Sequence, residues 1–232
     1  MLLALDTATH TASIALYDLA EMQLLAEWTW EARRRQTQDL LGAVQQMLQQ
    51  SQVMPQQLSA LAVTTGPGSF TGVRIAISTA KGIGLGLAEP PRVIGIPTIS
   101  VTAAPWLEVA ASCDPAPLIC ATLQAGRGRY NWLMLTPDRE LDRPTAEEHH
   151  AGTTAELEAF LAQQTDQPIW LVGENRPDLV QQVETLQHVT VISPVSGLRR
   201  ASQLAQLAGQ HFAHGTEDSL ESLQPIYLRP PG

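Results

Sequence analysis

The stretch LLALDTATHTASIALYDLAEMQLLAEWTW, residues 2–30, decides how the chain is read. Leu2–Leu5 is a short apolar run, Ser13–Tyr17 a second and Gln23–Trp30 a third, with Asp18-Leu19-Ala20-Glu21 turning between the last two. Three strand-length runs in close succession predict an antiparallel meander. The period then changes. From Thr37 to Gln50, Leu40, Leu41, Val44, Met47 and Leu48 fall at helical spacing. Pro55 closes that region. Leu58–Thr65 reads as a strand, Phe70–Leu87 as a long helix of small residues, Arg92–Ile96 as a strand and Ile99–Ala111 as a helix. The first half is therefore predicted as βββαβαβα.

Beyond it, Leu118–Leu123 and Arg129–Leu135 suit a hairpin around Gly126-Arg127-Gly128. Thr153–Gln164 has a helical pattern, with Thr154 near its start. Ile169–Val172 reads as a strand, Pro177–Leu186 as a helix opened by its proline, Val189–Ile192 as a strand and Leu198–Phe212 as a final helix. The prediction is an α/β protein of two lobes. Residues 1–100 form the first, with helix 198–212 packing back on it, and residues 101–232 form a smaller second. The βββαβαβα order resembles the ribonuclease-H-like lobe of the actin-like ATPase (ASKHA) group, which includes actin, sugar kinases and Hsp70. The second lobe is then a degenerate copy. Paired lobes of that kind hold a ligand in the cleft between them, but a fold alone does not confer an activity.

Composition narrows the function classes. The 232 residues are 44% hydrophobic and 16% charged, as in an ordinary globular protein, with a formal net charge of −9. Such a chain is a poor nucleic-acid binder by itself, because phosphate contacts need clustered cations. The one cluster, Arg33-Arg34-Arg35, reads as a solvated loop. Cys113 and Cys120 fit no zinc spacing and no disulfide framework. The start of the chain has no basic region before its apolar run, which Asp6 interrupts. Ile75–Ala88 is too short and too broken by Lys81 and glycines to span a bilayer. These features predict a cytoplasmic protein with no membrane contact.

The sharpest local signal is Thr64-Thr65-Gly66-Pro67-Gly68-Ser69-Phe70-Thr71-Gly72-Val73-Arg74, after a strand and opening a helix. Glycines there let backbone amides approach an anion, and Ser69 or Thr71 can cap the helix. No Gly-Lys-Ser/Thr follows, so it is not a P-loop, and the third glycine is displaced from a dinucleotide fingerprint. As glycine chemistry alone, the stretch fits a tight structural turn and a phosphate cradle equally. Asp6 and Thr7, at the end of the first strand, suit either a magnesium–phosphate role or the capping of local amides.

As a whole string, Gly66–Arg74 followed by Ile75-Ala76-Ile77-Ser78-Thr79-Ala80-Lys81-Gly82 resembles the hallmark of the TsaB (YeaZ-type) family. Leu3–Thr9 with Ser13-Ile14-Ala15-Leu16 is similar to that family's opening hairpin, Ala125–Tyr130 to its inner hairpin and Pro225-Ile226-Tyr227-Leu228-Arg229 to its terminal signature. Gln36-Thr37 departs from the His-Ser pair of many relatives, and Gln124 and Gly126 stand where an acid and an arginine are common. The resemblance implies a non-catalytic subunit of the complex that transfers threonylcarbamoyl to N6 of adenosine 37 in tRNAs reading ANN codons. Its implied partners are the catalytic TsaD and, through TsaD, TsaE. It implies a homodimer in isolation and tRNA contacted mainly through partners. No cofactor is required, and any ATP or ADP binding is weak, with Asp6, Thr7, Gly66, Gly68, Ser69, Gly72 and Arg74 as the candidate nucleotide residues.

TsaD carries a His-x-x-x-His metal pair after the strand that corresponds to Val93–Ile96. The matching positions here are Thr98 and Thr102, and threonine hydroxyls cannot replace two imidazoles. No metal site is predicted. His149 and His150 are adjacent, and His211 and His214 lack a third ligand. The long helix carries two small-residue rows, Ser78, Gly82, Gly86 and Ala76, Ala80, Gly84, Ala88. Each glycine in a helix costs about 1 kcal/mol against alanine, so a helix that keeps several is expected to pack closely on something: its own sheet or a partner. The resemblance implies a partner face built from Leu40, Leu41, Val44, Leu48, Ala76, Ser78, Gly82 and Gly86. The competing readings are an ATP-dependent small-molecule kinase of the same fold and a metallopeptidase-like relative.

Overall fold

The computed structural model describes residues 1–33, 35–126, 128–138 and 148–226. Arg34, Arg127 and Tyr227-Leu228-Arg229, each part of a motif read above, lie outside the described residues. The chain divides into two compact units, Met1–Thr98 with the stretch beginning at Arg200, and Ile99–Arg199.

The first unit is a five-stranded mixed sheet. Its elements are β1 (Leu2–Asp6), β2 (Thr11–Asp18), β3 (Gln23–Glu31), α1 (Gln36–Gln50), β4 (Ala60–Thr64), α2 (Phe70–Gly86), β5 (Arg92–Ile96) and the late helix α6 (Ala201–Ala213). The strand order is β3-β2-β1-β4-β5. The meander pairs antiparallel, Leu3 opposite Leu16 and Ile14 opposite Trp28, while β1–β4 and β4–β5 run parallel. With α3 (Thr98–Ala111) after β5, the predicted βββαβαβα order is realised.

Strand alternation gives this sheet two coats. Leu3, Leu5, Ile14, Leu16, Leu61 and Val63 meet the buried faces of α1 and α2. Their neighbours Leu2, Ala4, Ala15 and Ala62 are also fully buried, on the face where α6 packs across β1 and β2. Alanines on that face let Ala201, Ala205 and Ala208 come close. Each large aliphatic side chain so buried contributes about 2 kcal/mol of transfer free energy. After α6 the chain returns over β5. The Asp218 amide donates to the Val93 carbonyl at 2.7 Å, Leu223 enters the core, and the Ile226 amide donates to the Thr65 carbonyl at 2.7 Å. This strap covers what would otherwise be an open sheet edge.

The second unit holds most of α3, then β6 (Leu118–Gln124), β7 (Arg129–Leu135), β8 (His150–Thr153), α4 (Thr154–Ala162), β9 (Ile169–Gly173), α5 (Pro177–Val183) and β10 (Val189–Val191). Its sheet order is β10-β9-β6-β7-β8. Ile99, Ala103 and Leu107 of α3 cover one face. Leu157, Leu161, Leu179 and Val183 of α4 and α5 cover the other.

Several sequence expectations need correction here. Strand β8 was not predicted. It is four residues long, and its place comes from pairing Thr153 with Arg129 through His150 with Trp132. Helix α4 starts at Thr154, the start read from the sequence, but ends at Ala162 rather than Gln164; the hydroxyl of its cap, Thr153, accepts from the Glu156 amide while the Glu156 carboxylate accepts from the Thr153 amide. Helix α5 stops at Val183 rather than Leu186. Helix α6 starts at Ala201 rather than Leu198, because its first amides find acceptors on the sheet: Ala201 donates to Ser13 Oγ and Ser202 to Glu27 Oε1, both at 2.9 Å. Among the described residues no helix is long and apolar enough to cross a membrane.

Candidate functional site

The glycine loop joins β4 to α2 through a cis Gly66–Pro67 bond, with Gly66 at φ +105°. Its other glycines are explained by contact. A Cβ on Gly68 would overlap the carbonyl of Ala8, and one on Gly72 the carbonyl of Thr7. The Ser69 amide donates to that Ala8 carbonyl at 2.6 Å, and the Thr7 hydroxyl donates to the Gly72 carbonyl at 2.7 Å. Ser69 caps α2 by accepting from the Gly72 amide at 3.2 Å. The loop is thus sewn to the turn after β1.

Asp6 sits at the same place, almost fully buried. Its Oδ1 accepts from the Ala8 amide at 2.9 Å and from the Thr64 hydroxyl at 2.8 Å. These are the bonds of a carboxylate bracing a strand end. Gln36, in place of the histidine of many relatives, is buried and donates from Nε2 to the Thr9 carbonyl at 3.1 Å, tying the head of α1 to the same turn. Asp6, Thr7, Ser69 and Gly72 are therefore bonded around the turn after β1, Gly68 packs on the Ala8 carbonyl there, and Gly66 is bonded instead to Thr98.

Arg74 lies further along α2. Its guanidinium lies 3.8 Å from the ring centroid of Phe70 and lines an open groove of about 350 Å³ on α2 and the start of α1. Thr37, Thr71, Ser78 and Thr79 share that lining. One helical turn carries Arg74 off the loop's side of α2 and onto its outer face.

The partner-face candidates also divide. Leu40, Val44, Leu48 and Ala76 are buried in the first unit's own core, so the correction is that these four face the sheet and not a partner. Leu41 is 59% exposed. Ser78, Gly82 and Gly86 are exposed, and a Cβ added at Gly82 or Gly86 would meet nothing within 4 Å. Phe70 and Leu85, at 46% and 79% exposure, were not singled out in the sequence and lie on the same helix.

Thr98 has a definite task. Its hydroxyl accepts from the Gly66 amide at 3.0 Å, and its own amide donates to the Gly66 carbonyl at 2.8 Å. Thr102 is buried. Of the histidines, His150 stacks on Trp132 at 5.6 Å and meets Phe160 at 4.8 Å, a packing role that sequence spacing did not reveal. In the second unit Arg199 is buried, 3.8 Å from Glu174, whose other oxygen accepts from the Gln124 amide at 3.0 Å. Burial pushes the Cys120 thiol well above its ordinary range. Tyr130 is raised, first by burial, and its hydroxyl accepts from the Arg176 amide at 3.2 Å.

Comparison with known proteins gives this arrangement relatives. Residues 30–159 match the family described as "TsaD: tRNA N6-adenosine threonylcarbamoyltransferase". The "tRNA threonylcarbamoyladenosine biosynthesis protein TsaB" of Escherichia coli (strain K12) is 33% identical over 233 aligned residues, covering 98% of this chain and 94% of that protein. The protein of the same name from Bacillus subtilis (strain 168) is 37% identical over 89 residues, 38% of each. Among solved structures, YeaZ from Pseudomonas aeruginosa superposes with a TM-score of 0.70 at 22% identity, covering 97% and 98% of the two chains. The PilM–PilN type IV pilus biogenesis complex gives 0.51 at 10% identity over 90% and 98%, which speaks for the actin-like fold alone. On the near full-length identity to the Escherichia coli protein, the chain belongs to the TsaB family.

Proposed function

We propose that this chain is a non-catalytic, cytoplasmic subunit of the complex that places threonylcarbamoyl on N6 of adenosine 37 in tRNA, and that it docks TsaD through the outer face of α1 and α2. TsaE then joins through TsaD, and the tRNA is held mainly by partners. The observation that carries the reading is the outer surface of these two helices. Leu41 on α1 and Phe70 and Leu85 on α2 are exposed, and Gly82 and Gly86 of α2 face open space. Exposed large apolar side chains on two neighbouring helices suit a protein interface.

The loop side supports the same conclusion. Asp6 and the loop glycines serve internal bonds, and Thr98 serves Gly66, which favours a braced framework over a kinase site. The net charge of −9 fits tRNA contact through partners. In isolation the same face pairs with a second copy. The test is reconstitution: the chain alone should transfer no threonylcarbamoyl to tRNA, should copurify with TsaD, and should be required for full transfer by TsaD. Leu41→Asp should abolish copurification while leaving the melting temperature unchanged. Retained binding by that variant would remove this face from the interface.

A further inference from the structure

We infer that the strap after α6 is the clamp that keeps the end of α2 helical, so that seating of the strap and docking of TsaD on α2 strengthen each other. The inference rests on the docking reading above and gives its regulation. All the residues concerned belong to the first unit. The end of α2 reads Gly82-Ile83-Gly84-Leu85-Gly86, three glycines in five residues. Each glycine makes the helical state about fivefold less favourable than alanine would, and three together about a hundredfold. The chemistry of the helix end does not offset this. Its last turn has no basic side chain, and the closing bond, from the Leu87 amide to the Gly84 carbonyl, is long at 3.4 Å.

Tertiary contact must therefore hold this end. Gly82 and Gly86 face open space and Leu85 is 79% exposed, so these three gain little by packing. Ile83 and Leu87 are partly buried at the rim of the core, and of the glycine run Gly84 alone is buried. What lies on Gly84 is the strap. A Cβ there would come within 2.9 and 3.0 Å of the two Leu220 methyls, with Pro91 next at 3.4 Å. Just before the run, Lys81 Nζ donates to the Glu221 carbonyl at 3.5 Å. A helix end that propensity disfavours and tertiary contact holds has two states, helical and frayed. The strap binds the helical state. A partner on the outer face binds the same state, because only a helix sets Leu85 beside Gly82 and Gly86. Two contacts that favour one state of a shared element favour each other, equally in both directions. Leu220 is thus a positioning residue for the docking face. The Leu223 amide, on the Ser219 carbonyl at 3.1 Å, and the Ile226 amide, on the Thr65 carbonyl at 2.7 Å, report the seating of the strap.

The experiment is amide hydrogen exchange on the full chain, with and without saturating TsaD, beside titration calorimetry of TsaD binding. Leu220→Ala should speed exchange over residues 83–87 by at least about tenfold while residues 60–64 of β4 exchange as in the wild type. Lys81→Met, a milder change, should raise the same rates about twofold. Adding Gly86→Ala to Leu220→Ala should win back about fivefold of the protection, as a defect in helix propensity allows and a general loosening of the unit does not. TsaD should slow exchange over residues 219–226 in the wild type and less in Leu220→Ala, whose affinity for TsaD should fall about tenfold. Wild-type exchange over residues 83–87 in both Leu220→Ala and Lys81→Met would overturn the clamp. Faster exchange there with unchanged TsaD affinity, or protection by TsaD that stays on α2 and never reaches the strap, would overturn the coupling and leave the docking reading intact. No binding of TsaD by the wild type would overturn both.

Discussion

The hydroxyl of Thr98 accepts a hydrogen bond from the Gly66 amide at 3.0 Å while the Thr98 amide donates to the Gly66 carbonyl at 2.8 Å, a reciprocal pair that clamps the glycine loop to the head of α3. Both groups are buried. Thr98→Val keeps the shape and deletes the acceptor, leaving the Gly66 amide buried without its partner. Stability should fall by about 1–3 kcal/mol in urea titration. A variant as stable as the wild type would mean the clamp contributes nothing.

The glycines give opposite predictions on one helix. A methyl at Gly72 overlaps the Thr7 carbonyl, a backbone atom that cannot swing aside. Gly72→Ala should cost about 2–3 kcal/mol or prevent folding. Gly82 faces open space, so Gly82→Ala should raise stability by about 0.5–1 kcal/mol through helix propensity alone. Equal effects at the two positions would contradict the placement of α2.

Leu41 and Val44 stand three residues apart on α1 and should respond in opposite ways. Val44 is in the core and Leu41 is exposed. Val44→Asp buries an unpaired charge and should cost about 3–5 kcal/mol, while Leu41→Asp should leave the melt unchanged. Circular dichroism melts of the two variants decide it.

That contrast shows what the sequence could and could not convey. The period of Leu40, Val44 and Leu48 announces a buried stripe, but a stripe reads the same whether its own sheet or another protein covers it. Here the sheet of Leu3, Ile14 and Leu61 covers it. The strands of the meander were legible because alternation and helical spacing are local signals. Strand β8 was not, since four residues from His150 to Thr153 carry too little pattern and are ordered by pairing with β7. The direction of Arg74 was also hidden: its place in the motif suggested the glycine loop, and the helical turn sends it to the other side, onto Phe70.

The two cysteines should separate chemically. Cys120 is fully buried and its thiol is pushed up by burial, while Cys113 is partly exposed. A thiol reagent should label Cys113 in the native protein and Cys120 only on unfolding. The sign of the linkage follows from the raised folded value. Below about pH 8.5, the ordinary thiol value, both states stay protonated and the contribution is constant. Above it the unfolded thiol ionises and the folded one does not, so stability falls as pH rises. In Cys120→Ala that alkaline slope should be shallower.

The strap after α6 should behave as core rather than as a tail. Leu223 is buried against Gly95, where a Cβ would come within 2.8 Å of its Cδ1, and Leu220 fits against Gly84 in the same way at 2.9 Å. Asp218 Oδ2 accepts from the Gly95 amide at 2.8 Å, and Arg92 pairs with Glu217 at 2.7 Å. Lys81, the only lysine of the chain, reaches from α2 to the Glu221 carbonyl at 3.5 Å. Two glycines are thus shaped to the strap's leucines, and the strap in turn joins α2 to β5. Leu223→Ala should cost about 2–5 kcal/mol, the range for emptying a buried leucine site. Because Lys81 is alone, an amine reagent reports on the strap at a single side chain besides the N-terminus. Its labelling rate should rise in Leu223→Ala at temperatures where the rest of the unit stays folded. A variant that melts like the wild type and labels no faster would show that the strap lies on the surface without holding it.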